Sequence, residues 1–600
     1  MIDFSLMIDY LRGRSSKGYE LFGAHFVWEN NQSQVCFAVY APQAKVVSLI
    51  GDFNVWNPWP MQRLDCGVWV LTSPDPQPGD RYKYRITTAE GEIWDRADPF
   101  AFFTELRPNT ASVIQRLDGY DWQDGDFLST RQKNFNRPLN IYELHAGSWR
   151  MKDGDGSERF LQYDELADQL IPYIRQMGYT HIELLPLTEY PLDASWGYQV
   201  SGYFSATSRY GSPHQLMALI DRCHQAGIGV ILDFVPTHFV PDYYALARFD
   251  GSCLYEPDNP NLRDSPWGTV LFDFTKPHVL SFLRSALDFW ITVYHFDGIR
   301  YDAVSNLIYQ GGSKDKGLNE PGLWFLRSTN FTLQQDHPEV MLIAEDSSDY
   351  LKVTAPVVYG GLGFDYKWNL GWMHDTLDYL ATPFDERAGM KNRFLFSMSY
   401  FYQENYILPL SHDEVVHGKK TIIDKLWGSY EQKFAQLRCL SCYMLFHPGK
   451  KLSFMGNELA EFMEWSEERQ PGWNLLDYPV HRSFHVFLQR LNTLYCTCPA
   501  LWEQDFDSSY FQWLDMGNVF PEIFAIQRRD GSGQELVLLL NLSDRDCPNY
   551  PLSAHLPATP SAYRLLLDSQ SKQEVDKEPL SSDSISLPGL SCLILQRENS

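Results

Sequence analysis

The chain has 600 residues, more than one domain of ordinary size, so its length predicts a large body with one or two smaller modules. Its formal net charge of −26, from 50 basic and 76 acidic residues, excludes nucleic acid or an anionic membrane surface as a partner. Hydrophobic content of 44% is ordinary for a globular protein, whereas aromatic content of 15% is high, and flat aromatic faces suit neutral sugar rings.

The first segment of the chain, residues 1–18 (MIDFSLMIDYLRGRSSKG), is a short N-terminal extension in which apolar and charged residues alternate. It lacks the continuous apolar core of a signal peptide, and no stretch of the sequence is apolar over a membrane-spanning length. We therefore expect a cytoplasmic protein. The ten cysteines are scattered, and without a secretion signal we expect them to stay reduced.

Residues 19–118 have the pattern of a small β-sandwich. Strand-like runs such as VCFAVYAP, KVVSLIGDF, GVWVLTS and RYKYRITT are separated by Gly, Pro, Asn and Asp. Trp56 and Trp59 lie close together near a predicted turn. They predict either a platform for a carbohydrate or a hydrophobic plug against the neighbouring domain, since most aromatic residues pack in cores.

Residues 119–500 alternate between strand-like and helix-like segments. Eight runs predict strands: NIYELHAG, THIELLPLT, GVILDFVPTH, FDGIRYDA, VMLIAEDS, FDYKWN, ILPLSHDE and KLSFMGNE. Helical patterns lie between them; Gly178 ends the first, and Ser212 with Pro213 begins a second that Gly227 ends. The pattern predicts an α/β fold, a (β/α)8 TIM barrel with parallel strands inside.

The barrel region contains a CxxC motif, and a second β-rich region follows. Cys439 and Cys442 lie in an amphipathic helical pattern with no second pair to complete a zinc site, so we interpret them as core residues. The sequence predicts no metal and no organic cofactor. Residues 501–600 contain short strand-like runs, in FAIQRRD, ELVLLLNLS, YRLLLDS and CLILQRE, which predict a C-terminal all-β sandwich.

Three predicted barrel strands end in a carboxylate: FDGIRYDA reaches Asp302, VMLIAEDS reaches Glu345, and ILPLSHDE reaches Asp413. The carboxyl ends of TIM-barrel strands share one rim, where active sites lie. Crowded carboxylates cannot all ionise freely, so one pKa rises and that group can act as an acid near neutral pH. Any one of them alone is more simply a surface residue, but all three together indicate paired-carboxylate chemistry such as glycosidic bond cleavage.

Several motifs in this region resemble a known family. The runs DFVPTH (233–238), GIRYDAVSN (298–306), IAED (343–346) and LPLSHDEVVHGKK (408–420) resemble the four ordered motifs of the α-amylase superfamily. WGYQVSGYFSATSRYGSP (196–213), WNLGWMHDTLDY (368–379) and HPGKKLSFMGNELAE (447–461) resemble the glycogen branching enzymes within it. GDFNVWNPW, YKYRI and ADPFA in the front module resemble a family 48 carbohydrate-binding module, so the resemblance covers nearly the whole chain.

The resemblance implies catalytic roles for the three carboxylates. Asp302 matches the nucleophile, and Arg300 matches the arginine that holds this carboxylate ionised. Glu345 matches the general acid/base. Asp413 matches the third carboxylate, which grips sugar hydroxyls and favours the distorted, cationic transition state.

The resemblance also implies substrate-binding residues around these acids. His238 and His412 match two histidines that hydrogen-bond the same sugar unit, and Asp233 matches a supporting acid. Tyr198, in WGYQ, matches an aromatic residue that stacks on the sugar being transferred.

The sequence departs from the branching-enzyme pattern in a few places. Phe234 stands where many members have Trp, Tyr301 stands where Val is usual, and residues 310–322 (QGGSKDKGLNEPG) differ from a tyrosine-rich loop. We expect the chemistry to survive, and the acceptor-side contacts and transferred chain length to depend on the altered loop. The chain begins close to the front module, whereas some bacterial branching enzymes carry a further N-terminal module, so chain-length preference is expected to differ accordingly.

The resemblance therefore implies a retaining transfer that cleaves an α-1,4-glucan and joins the released piece to a glucan 6-hydroxyl, forming an α-1,6 branch. Amylose or glycogen would be donor and acceptor, and we expect a monomer. The carboxylates do not choose the acceptor, so an α-glucan hydrolase of the same superfamily, debranching or trehalose-releasing, remains an alternative. A non-catalytic glucan-binding scaffold is a third interpretation, which the intact set of three acids disfavours.

Overall fold

The structure is a computed structural model that describes residues 3–598 except residues 30, 155, 519, 572–578 and 581. One helix, α1 (Phe4–Leu11), precedes the front module. No helix in the described part of the chain is both long enough and apolar enough to cross a membrane.

The front module is built from nine strands. They are β1 (Gly23–Glu29), β2 (Gln32–Tyr40), β3 (Val46–Gly51), β4 (Trp59–Pro60), β5 (Gln62–Arg63), β6 (Val68–Ser73), β7 (Arg81–Thr87), β8 (Ile93–Arg96) and β9 (Ser112–Val113). One antiparallel sheet has the order β1-β2-β6-β5, and the other has the order β4-β3-β7-β8 with β9 beside β7. Phe37 of β2 and Tyr82 of β7 meet with ring centroids 5.1 Å apart, so the sheets face each other around one core. The predicted front sandwich is confirmed.

Trp56 and Trp59 are both half-buried in this module. The Trp56 indole donates to Asp52 at 3.1 Å, and the Trp59 ring lies 5.5 Å from that of Phe53. These partners belong to the same module, which favours the platform interpretation over a plug against the barrel.

Twelve strands belong to the central region. They are β10 (Asn140–Leu144), β11 (His181–Leu184), β12 (Thr188–Glu189), β13 (Gly202–Ala206), β14 (Gly229–Phe234), β15 (His238–Phe239), β16 (Val270–Leu271), β17 (Gly298–Tyr301), β18 (Met341–Ala344), β19 (Tyr366–Trp368), β20 (Tyr406–Leu410) and β21 (Lys450–Phe454). Eight of them close into a barrel in the order β10-β11-β14-β17-β18-β19-β20-β21. Each predicted run contains one of these eight strands, so the predicted TIM barrel is confirmed.

The helices of the central region connect and surround these strands. They are α2 (Gly125–Thr130), α3 (Tyr163–Met177), α4 (Pro213–Gln225), α5 (Pro260–Arg263), α6 (Pro277–Tyr294), α7 (Val304–Ile308), α8 (Glu320–Asp336), α9 (Leu370–Ala381), α10 (Arg387–Phe396), α11 (Ile422–Lys425), α12 (Tyr430–Phe446) and α13 (Pro479–Thr497). Every residue of β10, β11, β14, β17 and β18 is buried, as expected where helices cover a parallel sheet.

Local signals in the sequence set the helix ends. Gly178 follows α3 with φ 73°, a left-handed conformation that glycine adopts without a Cβ clash. The Ser212 side chain accepts a hydrogen bond from the Gln215 backbone N–H at the start of α4, where Pro213 occupies the first turn. Gly227, with φ 76°, follows the end of that helix.

Among its described residues, the C-terminal module has seven strands and one short helix. They are β22 (Phe511–Met516), β23 (Ile523–Arg529), β24 (Glu535–Asn541), β25 (Cys547–Pro551), α14 (Leu552–His555), β26 (Tyr563–Asp568), β27 (Ser584–Leu587) and β28 (Ser591–Arg597). A five-stranded sheet, β22-β23-β24-β28-β26, faces the β25-β27 pair around Val537, Tyr550 and Leu587. This confirms the predicted all-β module at the C-terminus.

The ten cysteines are unbridged, and Cys439 and Cys442 are fully buried in α12, in the core where we expected them. Cys592 of β28 is buried against the same helix, which is part of the surface on which the C-terminal sheet packs.

Polar contacts tie the flanking segments to the barrel. Lys17 of the N-terminal extension makes an ion pair of 2.7 Å with Asp288 of α6. Arg96 of β8 stacks on Trp94 and donates to the backbone carbonyl of Arg248 at 2.7 Å. The barrel and the C-terminal module are joined by a buried ion cluster of Lys450, Asp505 and Arg528, with N–O distances of 3.0 and 2.8 Å.

Candidate active site

The barrel brings the predicted site residues to the carboxyl ends of its strands. Asp233 is the second-last residue of β14, and Arg300 of β17 is its partner in the pairing of these two strands. Asp302 directly follows β17 after Tyr301, and Glu345 directly follows β18. His412 and Asp413 lie in the turn after β20. The closed barrel therefore gathers side chains that are far apart in the sequence at one rim.

Arg300 is the centre of the carboxylate cluster. Its side chain is almost completely buried and lies over the Trp368 ring at 4.4 Å. One guanidinium nitrogen, Nη1, donates to Asp233 at 2.7 Å and to Asp302 at 3.0 Å. The other, Nη2, lies 3.2 Å from a carboxylate oxygen of Glu345. A single cation thus sits among three acids, which leaves the cleft rich in negative charge.

This crowding affects the protonation of Asp302. Burial raises its pKa well above the ordinary value, Arg300 opposes that rise, and the neighbouring acids Glu345, Asp233 and Asp413 add to it. Arg300 does lower the Asp302 pKa as expected, but its effect is outweighed because one guanidinium cannot neutralise several carboxylates. Burial likewise raises the pKa of Asp233 to about 6, against Arg300 and Tyr198. Burial and crowding therefore oppose full ionisation of Asp302 and Asp233.

The Glu345 carboxylate is held from behind by the backbone. The Ala303 N–H donates to Glu345 Oε2 at 2.8 Å, and Ala303 has φ 52°, a left-handed conformation that is uncommon for a residue other than glycine. In this conformation the Ala303 N–H points toward the carboxylate of Glu345. The side chains of Asp302 and Glu345 keep 16% and 19% of their surface exposed, so both can reach a substrate.

His412 and Tyr198 connect the cluster to the opposite wall of the barrel. The Tyr198 hydroxyl donates to Asp233 and lies 3.2 Å from His412 Nε2. The other ring nitrogen, His412 Nδ1, lies 2.5 Å from Glu143 Oε1, a buried acid of β10. Burial disfavours the charged ring, but Glu143 and Asp413 outweigh burial and raise the pKa of His412 to about 9.

Asp413 is the most exposed of the acids. Its side chain is 49% exposed and lies 3.6 Å from His412 Nε2. The cationic His412 lowers the pKa of Asp413, so this carboxylate is ionised at neutral pH. An exposed, ionised carboxylate at the mouth of the cleft can bind sugar hydroxyls.

His238 lies apart from the connected residues. It is buried at the start of β15, its Nδ1 has no hydrogen-bond partner in the described part of the chain, and its ring faces Trp267 at 5.0 Å. Burial lowers the pKa of His238 to about 4, so the ring is neutral. The structure thus links seven of the eight predicted residues by direct contacts, namely Tyr198, Asp233, Arg300, Asp302, Glu345, His412 and Asp413.

The sequence reasoning missed two buried acids beneath the site, Glu143 and Glu183. Both lie in strands that are otherwise apolar, in IYELH and IELLP, and both side chains are fully buried. A charged residue inside a buried strand is unusual, and this signal could have identified them.

Two of the family departures lie in the core. Phe234 packs against Tyr203 at 5.9 Å, and Tyr301 packs against Phe364 at 5.0 Å, both fully buried. Neighbouring residues on a strand point to opposite faces. Phe234 and Tyr301 therefore point away from the face of Asp233 and Arg300 and fill space between the barrel strands and the helices. Neither substitution touches the carboxylates.

A groove of about 730 Å³ extends from one side of the cluster. Its walls include Thr237, next to His238, and Asn306, whose backbone N–H donates to Ala303 O at 3.0 Å. Gln310, Lys316 and Asn319 of the altered loop line its far side. Trp267, 45% exposed, follows the lining residue Pro266 in the connection that leads into β16.

No group of three or more His, Cys, Asp or Glu residues within the described ranges has a geometry suited to a metal ion.

Two family profiles match the chain. The profile "Carbohydrate-binding module 48 (Isoamylase N-terminal domain)" matches residues 21–101, and "Alpha amylase, catalytic domain" matches residues 148–256.

The chain is similar over most of its length to curated proteins named 1,4-alpha-glucan branching enzyme GlgB. The protein from Bacillus caldolyticus is 47% identical over 568 residues, which cover 94% of this chain and 84% of that protein. The protein from Geobacillus stearothermophilus is 46% identical over 568 residues, covering 94% of this chain and 88% of that protein.

Among solved structures, the catalytic module of the multi-modular glycogen-degrading pneumococcal virulence factor SpuA superposes with a TM-score of 0.75. The superposition covers 99% of this chain and 98% of that chain. The sequence identity is 15%, a level that shows a shared fold alone.

Proposed function

The chain belongs to the family of 1,4-alpha-glucan branching enzymes, and from this premise we propose that Asp302, Glu345 and Asp413 carry out the glucan transfer. The enzyme cleaves an α-1,4-glucosidic bond and joins the released chain to a 6-hydroxyl, which creates an α-1,6 branch. One observation carries the assignment of residues: the guanidinium of Arg300 contacts both Asp302 and Glu345, so the nucleophile and the proton donor face the same point.

The first half of the reaction breaks the donor chain. An Asp302 oxygen attacks the anomeric carbon while Glu345, acting as the general acid, passes a proton to the departing glucan oxygen. The products are a covalent glycosyl–Asp302 ester and a free glucan end. Positive charge develops on the sugar in the transition state, and Asp413 together with Asp233 stabilises it electrostatically.

The second half forms the branch. Glu345, now a carboxylate, takes the proton of an acceptor 6-hydroxyl, the acceptor oxygen bonds to the anomeric carbon, and Asp302 leaves. The anomeric configuration is retained because the carbon is inverted twice. Water competes for the same intermediate, so transfer requires an acceptor held at high effective concentration.

The acceptor chain fits the groove beside the cluster. Two of its lining residues, Thr237 and Asn306, lie close in the sequence to His238 and Asp302, which places the groove near the carboxylates. Asn and Gln side chains can hydrogen-bond sugar hydroxyls, and the exposed face of Trp267 can stack on a sugar ring. His238 Nδ1, buried and without a partner among the described residues, is available to a hydroxyl of the bound sugar.

The remaining site residues hold the sugar at the point of cleavage. Tyr198 stacks on it, His412 and His238 hydrogen-bond its hydroxyls, and Arg300 keeps the carboxylates apart in fixed positions.

We also propose how the chain is divided and where it works. Residues 1–18 are an extension, 19–118 a carbohydrate-binding module, 119–500 the catalytic barrel, and 501–600 a C-terminal sandwich. The α-1,4-glucan is both donor and acceptor, and the enzyme acts in the cytoplasm as a monomer without nucleic acid or membrane partners. The net charge of −26 supports the exclusion of anionic partners.

A product analysis tests the function. Purified protein is incubated with amylose, and iodine staining, reducing ends and α-1,6 linkages are followed together. We expect iodine staining to fall and α-1,6 linkages to accumulate with little gain in reducing ends. Reducing ends that rise without new α-1,6 linkages would identify a hydrolase, and binding without turnover would identify a scaffold.

A further inference from the structure

Two glutamates lie side by side beneath the active site, inside the barrel. Glu143 of β10 and Glu183 of β11 are direct partners in the register of these parallel strands. Both have 0% of their surface exposed, and neither belongs to the reacting cluster. Two buried carboxyl groups in one layer are expensive to charge, so each needs a physical reason for its presence.

Glu143 is fully engaged with His412. Its Oε2 accepts from the His412 backbone N–H at 2.9 Å, and its Oε1 lies 2.5 Å from His412 Nδ1. Both carboxylate oxygens therefore hold one residue, across the seam where β10 closes the barrel against β21, the neighbour of β20.

The hydrogen bonds on the other side of His412 have a fixed direction. The Tyr198 hydroxyl donates its proton to Asp233, so its oxygen can only accept from His412 Nε2, 3.2 Å away. Nδ1 faces a carboxylate, which can only accept. Both contacts are hydrogen bonds in this arrangement when each ring nitrogen of His412 carries a proton.

We propose that Glu143 is a positioning residue that keeps His412 doubly protonated, so that the Nε2 proton is directed at Tyr198 and the mouth of the cleft beside Asp413. The inference rests on the proposed function, since it states the protonation form in which His412 meets the bound glucan. A cationic His412 orders the chain from Glu143 through His412 and Tyr198 to Asp233, and it also holds Asp413 ionised.

The charges around His412 agree with this assignment. The groups that face it are Glu143 of β10, Glu183 of β11, Asp233 of β14, Arg300 of β17, Tyr198, His145 and the adjacent Asp413. Burial and Arg300 disfavour the cation, whereas Glu143 and Asp413 favour it, and the pKa of His412 rises to about 9. The cation is present below that pH and is lost above it.

Glu183 provides a matched contrast. Neither of its carboxyl oxygens has a hydrogen-bond partner in the described part of the chain. Burial, with Glu143 and Asp233 nearby, raises the pKa of Glu183 well above its usual range and so favours its uncharged form. Glutamine has the shape of an uncharged glutamic acid, and a Glu183→Gln change therefore alters little.

The experiment compares Glu143→Gln and Glu183→Gln with the wild type. Total glucan turnover is measured from pH 5 to pH 10, whichever linkage forms, so the result does not depend on the branching assignment. Without the charge of residue 143 the imidazolium loses its proton at lower pH. We expect kcat/KM of Glu143→Gln, relative to the wild type at the same pH, to fall about tenfold at pH 8 and less at pH 6. Glu183→Gln should keep the wild-type profile.

Two outcomes would overturn the proposal. One is an equal loss at every pH in Glu143→Gln, which would mark a merely structural role; the other is the same pH-dependent loss in both variants. If Glu143→Gln does not fold, ¹⁵N-histidine spectra of the wild-type protein decide the question, with the His412 signal assigned from a His412→Gln sample. We expect both ring nitrogens of His412 to be protonated at pH 7.5, and a neutral His412 at that pH would refute the proposal.

Discussion

At the scale of single residues, the site is organised by one guanidinium among several acids. Arg300 fixes Asp302 and Glu345 at 3.0 and 3.2 Å, yet it leaves more negative charge in the cleft than it neutralises. Such a cleft is unfavourable for the folded protein and favourable for a cationic transition state. The repulsion among these carboxylates therefore lowers the stability of the fold and at the same time favours the reaction.

Removing the nucleophile tests this view. Asp302→Ala and Asp302→Asn should lower turnover about 10⁴-fold or more while the fold stays intact. Because burial raises the Asp302 pKa, ionising this group at neutral pH opposes folding, and the Asn variant should unfold at the same or a higher temperature. Turnover and thermal unfolding are measured with Asp385→Asn, an exposed aspartate, as the control. Near-normal turnover in either Asp302 variant would refute the nucleophile assignment.

At the scale of secondary-structure elements, the loops after the barrel strands decide which substrate reaches the acids. The β15–β16 pair holds His238 opposite Leu271, and the long connection between these strands places the Trp267 ring 5.0 Å from that of His238. On the other wall, α7 begins directly after Asp302 and presents Asn306. Two short elements thus connect the groove to the carboxylates, and changes in them should alter acceptor use more than bond cleavage.

The indole of Trp267 provides the test at this scale. Trp267→Ala should weaken acceptor binding by about five- to tenfold, on the order of 1 kcal/mol, because a stacking face is lost. The ratio of α-1,6 linkages to reducing ends should fall, since water then competes better for the intermediate. Trp324→Ala, which removes an exposed indole of α8, is the control and should keep the wild-type ratio. An unchanged ratio in Trp267→Ala would remove this residue from the acceptor path.

At the scale of the whole molecule, the barrel is held between two β-modules by buried polar contacts. Lys450 at the start of β21, Asp505 in the connection, and Arg528 of β23 form an ion cluster with no exposed side-chain surface. Two cations share one carboxylate there, and the Lys450 ammonium also donates to three backbone carbonyls, of Phe135, Arg137 and Trp502. This arrangement couples the C-terminal sheet to the floor of the barrel.

Breaking this cluster should destabilise the molecule strongly. Asp505→Asn leaves two buried cations without a counter-charge, which costs about 3–5 kcal/mol, and the first thermal unfolding transition should fall by several degrees. Asp349→Asn, which breaks the exposed pair with Lys314, should leave that transition unchanged. Equal effects of the two substitutions would contradict the proposed coupling.

Much of this architecture could be predicted from local patterns. The runs that end in Asp302, Glu345 and Asp413 marked three strand ends, and the positions of Gly178 and Ser212 marked helix ends that the structure reproduces. The partnership of Glu143 with His412 was not predicted, because residues 143 and 412 are brought together only when β10 closes the barrel. The net direction of the Asp302 pKa was not predicted either, since it depends on the number of carboxylates around Arg300 and on their burial.

The sequence by itself determined the order of the modules, the barrel and the identity of the acids at its rim, because strand and helix periodicity and strand-end residues are local properties. The tertiary structure alone decided which acids lie around Arg300, which buried glutamate holds His412, and where Trp267 stands relative to His238. Those properties depend on distance, burial and neighbouring charge, and residues far apart in the sequence acquire them only after the strands have closed.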